Sequence, residues 1–338
     1  MGSLSTYILP IRRKRVEPVQ ITELSAYLSN LPAAQIIVVD GSPPLVFAEH
    51  HRAWGACALH IPVDADIDAK NGKVAGILTG MRRAAHEAVI LADDDVRYDE
   101  AALTGVITAL DNAQIVRPQN HFDELPWHAR FDTARTLLNR ALGGDWPGTL
   151  AVRRSAFERV GGYDGDVLFE NLELVRTIRA VGGRECLALG MYIARRPPDV
   201  AHFWQQRVRQ AYDEFARPLR MVIALAILPA VGTVLIMRRR RELLGVAMLS
   251  VALAELGRRR ARGRNVFPVA ASLLAPLWLL ERGVCSWLAV GTRIKYGGVR
   301  YGDVVLSRAA TPARILRARL RDRRFSADEL AVTKSVSL

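Results

Sequence analysis

Two short apolar runs in this chain, Ile36-Ile37-Val38-Val39 and Ala88-Val89-Ile90-Leu91, each run out onto carboxylates: Asp40 in the first case, Asp93-Asp94-Asp95 in the second. Runs this short suit strands buried on both faces and fall short of a buried helix. Tyr7-Ile8-Leu9-Pro10 and residues 113–118 have the same character. Between them, residues 21–30, 74–86 and 100–110 carry helical periodicity. Short apolar strands alternating with helices predict an α/β fold with a mostly parallel mixed sheet. Ligands of such sheets bind beyond the carboxyl ends of the strands, which is where these acidic residues stand.

Adjacent carboxylates repel one another unless a cation or a hydrogen-bond donor neutralises them. If the strand geometry continued, Asp93 and Asp95 would point the same way and could share one target. A hard divalent cation takes oxygen ligands of this kind. The other reading is a solvated acidic turn or a helix cap, because Asp99-Glu100 follow. Asp40-Gly41-Ser42 can be a ligand contact or an Asx-turn. Asn71-Gly72-Lys73 precedes a helix, where a lysine can meet a phosphate with help from the helix N-terminus, or can simply cap a surface turn.

Composition changes beyond Pro218. Half of the 338 residues are hydrophobic, yet the net charge is +13. That combination points to nucleic acid or to an anionic membrane surface. The arginine runs Arg238-Arg239-Arg240-Arg241 and 258–264 flank apolar segments and are not interleaved with exposed aromatics, so no nucleic-acid partner is expected. Segments 219–237 and 267–291 approach the roughly twenty apolar residues of a membrane span, while 243–256 is short. If all three crossed, the two basic loops would lie on opposite sides, against the positive-inside tendency. A region embedded in the membrane or deep in its interface is expected. The arginines after Ser307 suit a basic helix on anionic lipid or a solvated charged helix. Cys57, Cys186 and Cys285 are scattered, which excludes a disulfide framework and a zinc ribbon. The basic cluster Arg12-Arg13-Lys14-Arg15 follows the first strand-like run instead of preceding it, so no secretory signal is expected.

The order of these pieces resembles the family 2 glycosyltransferases of the GT-A fold. The strand ending near Pro10, Val39-Asp40-Gly41-Ser42, Gly72-Lys73 and Asp93-Asp94-Asp95 follow that family's order. They are followed by Trp146-Pro147-Gly148-Thr149 with Arg153-Arg154, by Gly161-Gly162-Tyr163-Asp164, by Phe169-Glu170-Asn171-Leu172-Glu173 and by Gln206-Arg207-Val208-Arg209-Gln210. The late segment Lys295-Tyr296-Gly297-Gly298-Val299-Arg300-Tyr301 is similar to a C-terminal signature of the ceramide glucosyltransferase-like group, and the membrane part is similar to that branch and to cellulose synthases.

The resemblance implies a GT-A nucleotide-binding domain over residues 1–215, membrane or interfacial helices over 216–305 and a basic cytoplasmic tail over 306–338. It implies a donor nucleotide-sugar, UDP-linked, held by Asp40, Lys73, Asp93 and Asp94, with Mg2+ or Mn2+ on Asp93 and Asp95. Gln206 and Arg209 would contact the diphosphate or the acceptor. The family's acidic pair supplies the catalytic base. Here its second member is Asn171, and an amide cannot act as a base, which leaves Glu170 or Glu173. Ile11-Arg12-Arg13 stands where the family has Asn-Glu, and Gln210 where it has Trp. The expected function is inverting sugar transfer to a lipid or polysaccharide acceptor on the cytoplasmic side of the membrane. The rivals are a non-catalytic membrane scaffold of the same fold and a nucleotidyltransferase.

Overall fold

The computed structural model describes residues 3–325. They form two compact units, each assembled from separated stretches of chain. The first comprises residues 3–118, 147–193 and 311–325, and the second Gln119–Trp146 and Ala194–Ala310.

Eight strands form one sheet: β1 (Ser3–Ile11), β2 (Ala33–Asp40), β3 (Leu59–Pro62), β4 (Ala88–Ala92), β5 (Val96–Arg97), β6 (Ile115–Phe122), β7 (Thr149–Arg153) and β8 (Glu185–Arg195), in the order β3-β2-β1-β4-β7-β6-β8-β5. β1 runs parallel to β2 and β4, and β2 parallel to β3. β7 is antiparallel to both β4 and β6. The sheet is therefore mixed, with β7 beginning the antiparallel part beside β4. Of the parallel strands, β1, β2 and β4 carry the apolar runs read from the sequence, and Tyr7, Ile8, Ile37, Val38, Val89 and Ile90 are wholly buried.

The helix Gly72–Met81 lies directly on β1. A Cβ on Gly76 would come 2.7 Å from Pro10 Cβ, and one on Gly80 would come 2.6 Å from Ile8 Cγ2. Both glycines set the approach of helix to sheet. The helix starts at Asn71, whose side chain accepts the Lys73 backbone N–H at 3.1 Å. Such a cap satisfies one of the donors left open at a helix start.

Residues 311–325 also belong to this first unit. The helix Ala313–Arg319 packs on the helix Glu170–Ala180 through buried Leu316. Beyond it, Phe325 N–H donates to Val181 O at 2.8 Å, and Arg323 Nη1 donates to Val160 O at 2.6 Å. The expected tail beyond 325 lies outside the described residues.

The second unit is helical: Trp127–Ala141, Val200–Tyr212, Pro218–Ile236, Arg240–Arg259 and Ala275–Tyr296, with a small hairpin, Val299–Tyr301 on Val304–Leu306. Its interior is unusually ionic. Arg207, 2% exposed, donates to Asp132 Oδ1 at 2.7 Å and to both Glu281 oxygens at 2.9 and 2.6 Å. Arg140, wholly buried, donates to Gly257 O and Arg260 O. Among the described residues, Pro218–Ile236 is the one helix long and apolar enough to cross a membrane, with mean hydropathy 2.3 and 11% of it buried. The segment 243–256 lies within Arg240–Arg259, and 267–291 is divided between Val269–Leu273 and Ala275–Tyr296. Large apolar side chains stand exposed along these helices, among them Leu219, Val222, Ile236, Leu244, Met248, Leu277 and Trp287.

Candidate active site

The carboxyl end of β2 delivers Asp40 into a buried pocket. Its Oδ1 accepts the Ser42 N–H at 2.8 Å, and its Oδ2 lies 2.6 Å from His50 Nδ1 and 3.2 Å from His60 Nε2. His50 comes from the helix Pro44–Trp54, stacked on Trp54, and His60 comes from β3 against Phe47. Burial by itself would raise the carboxyl's pKa. The hydrogen bonds from His60, Ser42 and His50 reverse that and bring it down to about 2. This pocket follows from the sheet order, which sets β2 beside β3. Asp40 was expected as a donor contact from its place after an apolar run, and its two histidine partners were not anticipated.

At the end of β4 the backbone does not stay extended. Val96 N–H closes back onto Asp93 O at 3.1 Å, so the three aspartates form a turn, and the strand alternation expected for Asp93 and Asp95 stops at Ala92. The turn is held by two cations. Lys73 Nζ lies 2.6 Å from Asp93 Oδ1, and Arg13 pairs with Asp94 Oδ2. Arg13 also donates its backbone N–H to Ser42 Oγ at 2.8 Å. It thereby joins the ends of β1, β2 and β4, and it is a contact that motif reading missed. The signal was available: Arg13 stands in the segment where the family has an acidic residue.

Lys73 is the hub of the site. Besides Asp93, its ammonium meets Glu170 Oε1 at 2.7 Å. Burial works against its charge, but Asp93 and then Glu170 more than compensate and hold its pKa above the ordinary lysine value. Three segments read separately in the sequence, at Lys73, at Asp93 and at Glu170, therefore meet at one ammonium.

The supporting residues explain two sequence oddities. Asn171 donates Nδ2–H to Pro147 O at 2.9 Å and fixes the turn before β7. In that turn Gly148 O accepts the Asp93 N–H at 2.8 Å, and a Cβ on Gly148 would stand 2.6 Å from Asp93 Oδ2. Asn171 thus acts on Asp93 through the backbone of the intervening turn. Glu170 and Glu173, the two candidates for the base, occupy different surroundings. Glu170 opens its helix beside Lys73. Glu173 is wholly buried, accepts the Thr311 N–H at 2.6 Å, and has its pKa raised by burial.

Gln206 and Arg209 lie in the second unit on the helix Val200–Tyr212. Gln206 accepts from Gln210 at 3.3 Å, and the Arg209 guanidinium sits 5.2 Å over the Tyr301 ring.

Two groups of side chains have the chemistry for a metal. The Asp93-Asp94-Asp95 turn is an all-oxygen set suited to Mg2+ or Mn2+, and cationic side chains already occupy two of its carboxylates. Asp40, His50 and His60 bring their donor atoms within 4.8 Å of one another. That set is mixed nitrogen and oxygen, of the type that suits transition metals, and its members already hydrogen-bond to one another.

No protein-family profile matches the sequence, and no curated protein sequence matches it significantly. Solved structures do resemble it. The mannosyltransferase PcManGT from Pyrobaculum calidifontis, in complex with GDP-Man and Mn2+, superposes with a TM-score of 0.53 at 18% identity, over 85% of this chain and 88% of that one. Glucosyl-3-phosphoglycerate synthase from Mycobacterium tuberculosis, in complex with Mn2+, UDP and phosphoglyceric acid, gives 0.40 at 15% identity, over 60% of this chain and 73% of that one. Mannosyl-3-phosphoglycerate synthase from Rubrobacter xylanophilus gives 0.39 at 16%, over 60% and 69%. At these identities the likeness speaks for architecture, and on the strength of the mannosyltransferase this chain has the mixed α/β fold of the GT-A glycosyltransferases.

Proposed function

We propose that the protein is a metal-dependent glycosyltransferase that moves a sugar from a nucleotide-sugar to an acceptor hydroxyl, with inversion, at a membrane surface. The observation that carries the reading is the Lys73 hub, which draws the donor-phosphate, metal and base segments to one point. The mannosyltransferase of similar fold is itself complexed with a nucleotide-sugar and Mn2+.

In this reading Glu170 removes the acceptor proton, with one carboxylate oxygen on Lys73 and the second turned to the incoming hydroxyl. General-base assistance of this kind is worth about 10²–10⁴-fold in rate. Glu173, buried and engaged by Thr311, supports the helix that carries Glu170. Lys73 stands where it can exchange a carboxylate for a phosphate oxygen. Asp93 and Asp95 would hold Mg2+ or Mn2+, which supplies positive charge to the departing diphosphate. Gln206 and Arg209 would contact the acceptor or the diphosphate. The exposed apolar side chains of the second unit, together with its arginine runs, favour a lipid or membrane-borne glycan acceptor.

Isothermal titration of detergent-purified protein with UDP, GDP and dTDP, each with Mn2+ and with EDTA, tests the donor site. Metal-dependent binding of one nucleotide, lost in Asp95→Asn, is expected. Absence of binding by all three under both conditions would overturn the reading. Binding without transfer across a broad acceptor panel would favour the non-catalytic scaffold.

A further inference from the structure

Along one face of the helix Ala275–Tyr296, at the i, i+4, i+8 spacing that aligns side chains, stand Trp278, Arg282 and Ser286. All three are buried: 3%, 4% and 0% exposed. Trp278 Nε1, Arg282 Nε and Nη1, and Ser286 Oγ have no hydrogen-bond partner among the described residues. Two of these side chains carry only hydrogens to donate, and the third can donate one.

The two carboxylates close enough to act on Arg282, Glu281 and Glu214, are both ion-paired with other arginines. Glu281, its neighbour in sequence, is taken in a two-point pair by Arg207, and Cys285 Sγ also donates to it at 2.9 Å. Glu214 Oε2 is ion-paired with Arg217 and Arg220, each at 3.2 Å, although it accepts no hydrogen bond. Arg282 itself is left stacked on Trp278, its guanidinium carbon 4.9 Å from the ring centre. Arg135, Arg140 and Arg207 of this unit are each held by carboxylates or carbonyls, whereas Arg217 leaves Nε without a hydrogen bond and Arg282 leaves both Nε and Nη1. Buried polar groups are almost always partnered, and an exception calls for a water, an ion or a ligand.

We infer that the Trp278-Arg282-Ser286 row is a binding site for a phosphate group. A guanidinium offers phosphate paired N–H donors, and an indole N–H and a hydroxyl on either side extend the donor row to about 12 Å along the helix. The other face of the same helix exposes Leu277, Val284, Trp287 and Leu288. Apolar side chains and phosphate donors thus share one helix, as an amphiphile carrying a phosphate would require. The site uses none of the donor-site residues, so it stands or falls independently of the glycosyltransferase reading.

The test is thermal unfolding of the detergent-purified full chain with inorganic phosphate, against chloride, and with phosphatidic acid in the micelle, against diacylglycerol. The wild type should be stabilised by at least about 3 °C at saturation, and Arg282→Met should lose that shift. A shift with both ligands would make the phosphate group itself the ligand. A shift with phosphatidic acid alone would make the ligand a lipid phosphate. No shift with either, as for a row satisfied by buried water, would overturn the proposal, and so would an undiminished shift in Arg282→Met. Should Arg282→Met not fold, Ser286→Ala and Arg282→Lys are read the same way. Each should need at least about tenfold more ligand for the same shift, as expected on losing one good hydrogen bond.

Discussion

Glu170 and Glu173 stand on the same helix about one turn apart, and only their surroundings separate them. Glu170→Gln should leave nucleotide binding within about twofold and cut transfer by about 10²-fold or more, the worth of a general base, measured as kcat beside a binding titration. Glu173 makes the opposite prediction. Its folded pKa is raised, so the fold loses stability as pH rises through that value. Glu173→Gln keeps an acceptor for the Thr311 N–H and removes the charge, so it should gain on the wild type as pH rises. Glu173→Ala should lose about 1–3 kcal/mol at every pH by orphaning that N–H. Urea unfolding from pH 4 to 9 distinguishes these. Asp40 works with the other sign. Its pKa lies near 2 in the fold and about 3.9 in the unfolded chain, so it contributes about 2.6 kcal/mol that is complete above pH 4 and vanishes towards pH 2. The stability gap between the wild type and Asp40→Asn should close over that window. The sequence could name Asp40 because a carboxylate after an apolar run is a local signal. His50 and His60 were invisible, because they reach it only through the pairing of β2 with β3.

Among the elements, glycines fix the contacts that matter. A Cβ on Gly148 would collide with the Asp93 carboxylate, so Gly148→Ala should weaken nucleotide binding by at least about tenfold, roughly the value of one displaced charged contact, while the far-ultraviolet spectrum is retained. A Cβ on Gly257 would meet Leu137 O at 1.9 Å, where the helix Arg240–Arg259 lies against Trp127–Ala141. Gly257→Ala should destabilise the protein by about 3 kcal/mol or more, because backbone cannot move aside as a side chain can. β1, β2 and β4 were legible because each holds a continuous apolar run, whereas the parallel strand β3 was not, since His60 interrupts its four residues. β7 was not, since Thr149–Arg153 lies inside a stretch whose motif content drew attention to Gly148 and Arg153-Arg154 instead of to its strand character. The helix Pro44–Trp54 was missed as well. Its charged residues and four aromatic side chains, Phe47, His50, His51 and Trp54, blur any apolar stripe, although Pro43-Pro44 mark a helix start.

For the whole molecule, the charge and hydropathy of the sequence find a place in the second unit, where exposed leucines and valines share helices with arginine runs. The proposed membrane association predicts flotation with anionic vesicles. Replacing Arg238, Arg239, Arg240 and Arg241 together by glutamine should weaken binding to anionic vesicles at least about tenfold, at roughly 1 kcal/mol per lost arginine, and leave binding to neutral vesicles unchanged. Equal loss on both vesicle types would show that the arginines hold the fold and do not read lipid charge.

The helix that presents Glu170 is fastened at Glu173 by the amide of Thr311, a residue 138 positions later in the chain. A ribosome adds residues in order at about 5–20 per second. The Lys73 hub can therefore be complete in sequence for many seconds before its last fastening exists, and throughout that interval the apolar helices from Pro218 onward are already being made. The proposed membrane engagement of those helices would thus begin on a nascent chain whose Glu170 helix is still unlatched, and the proposed activity would follow it.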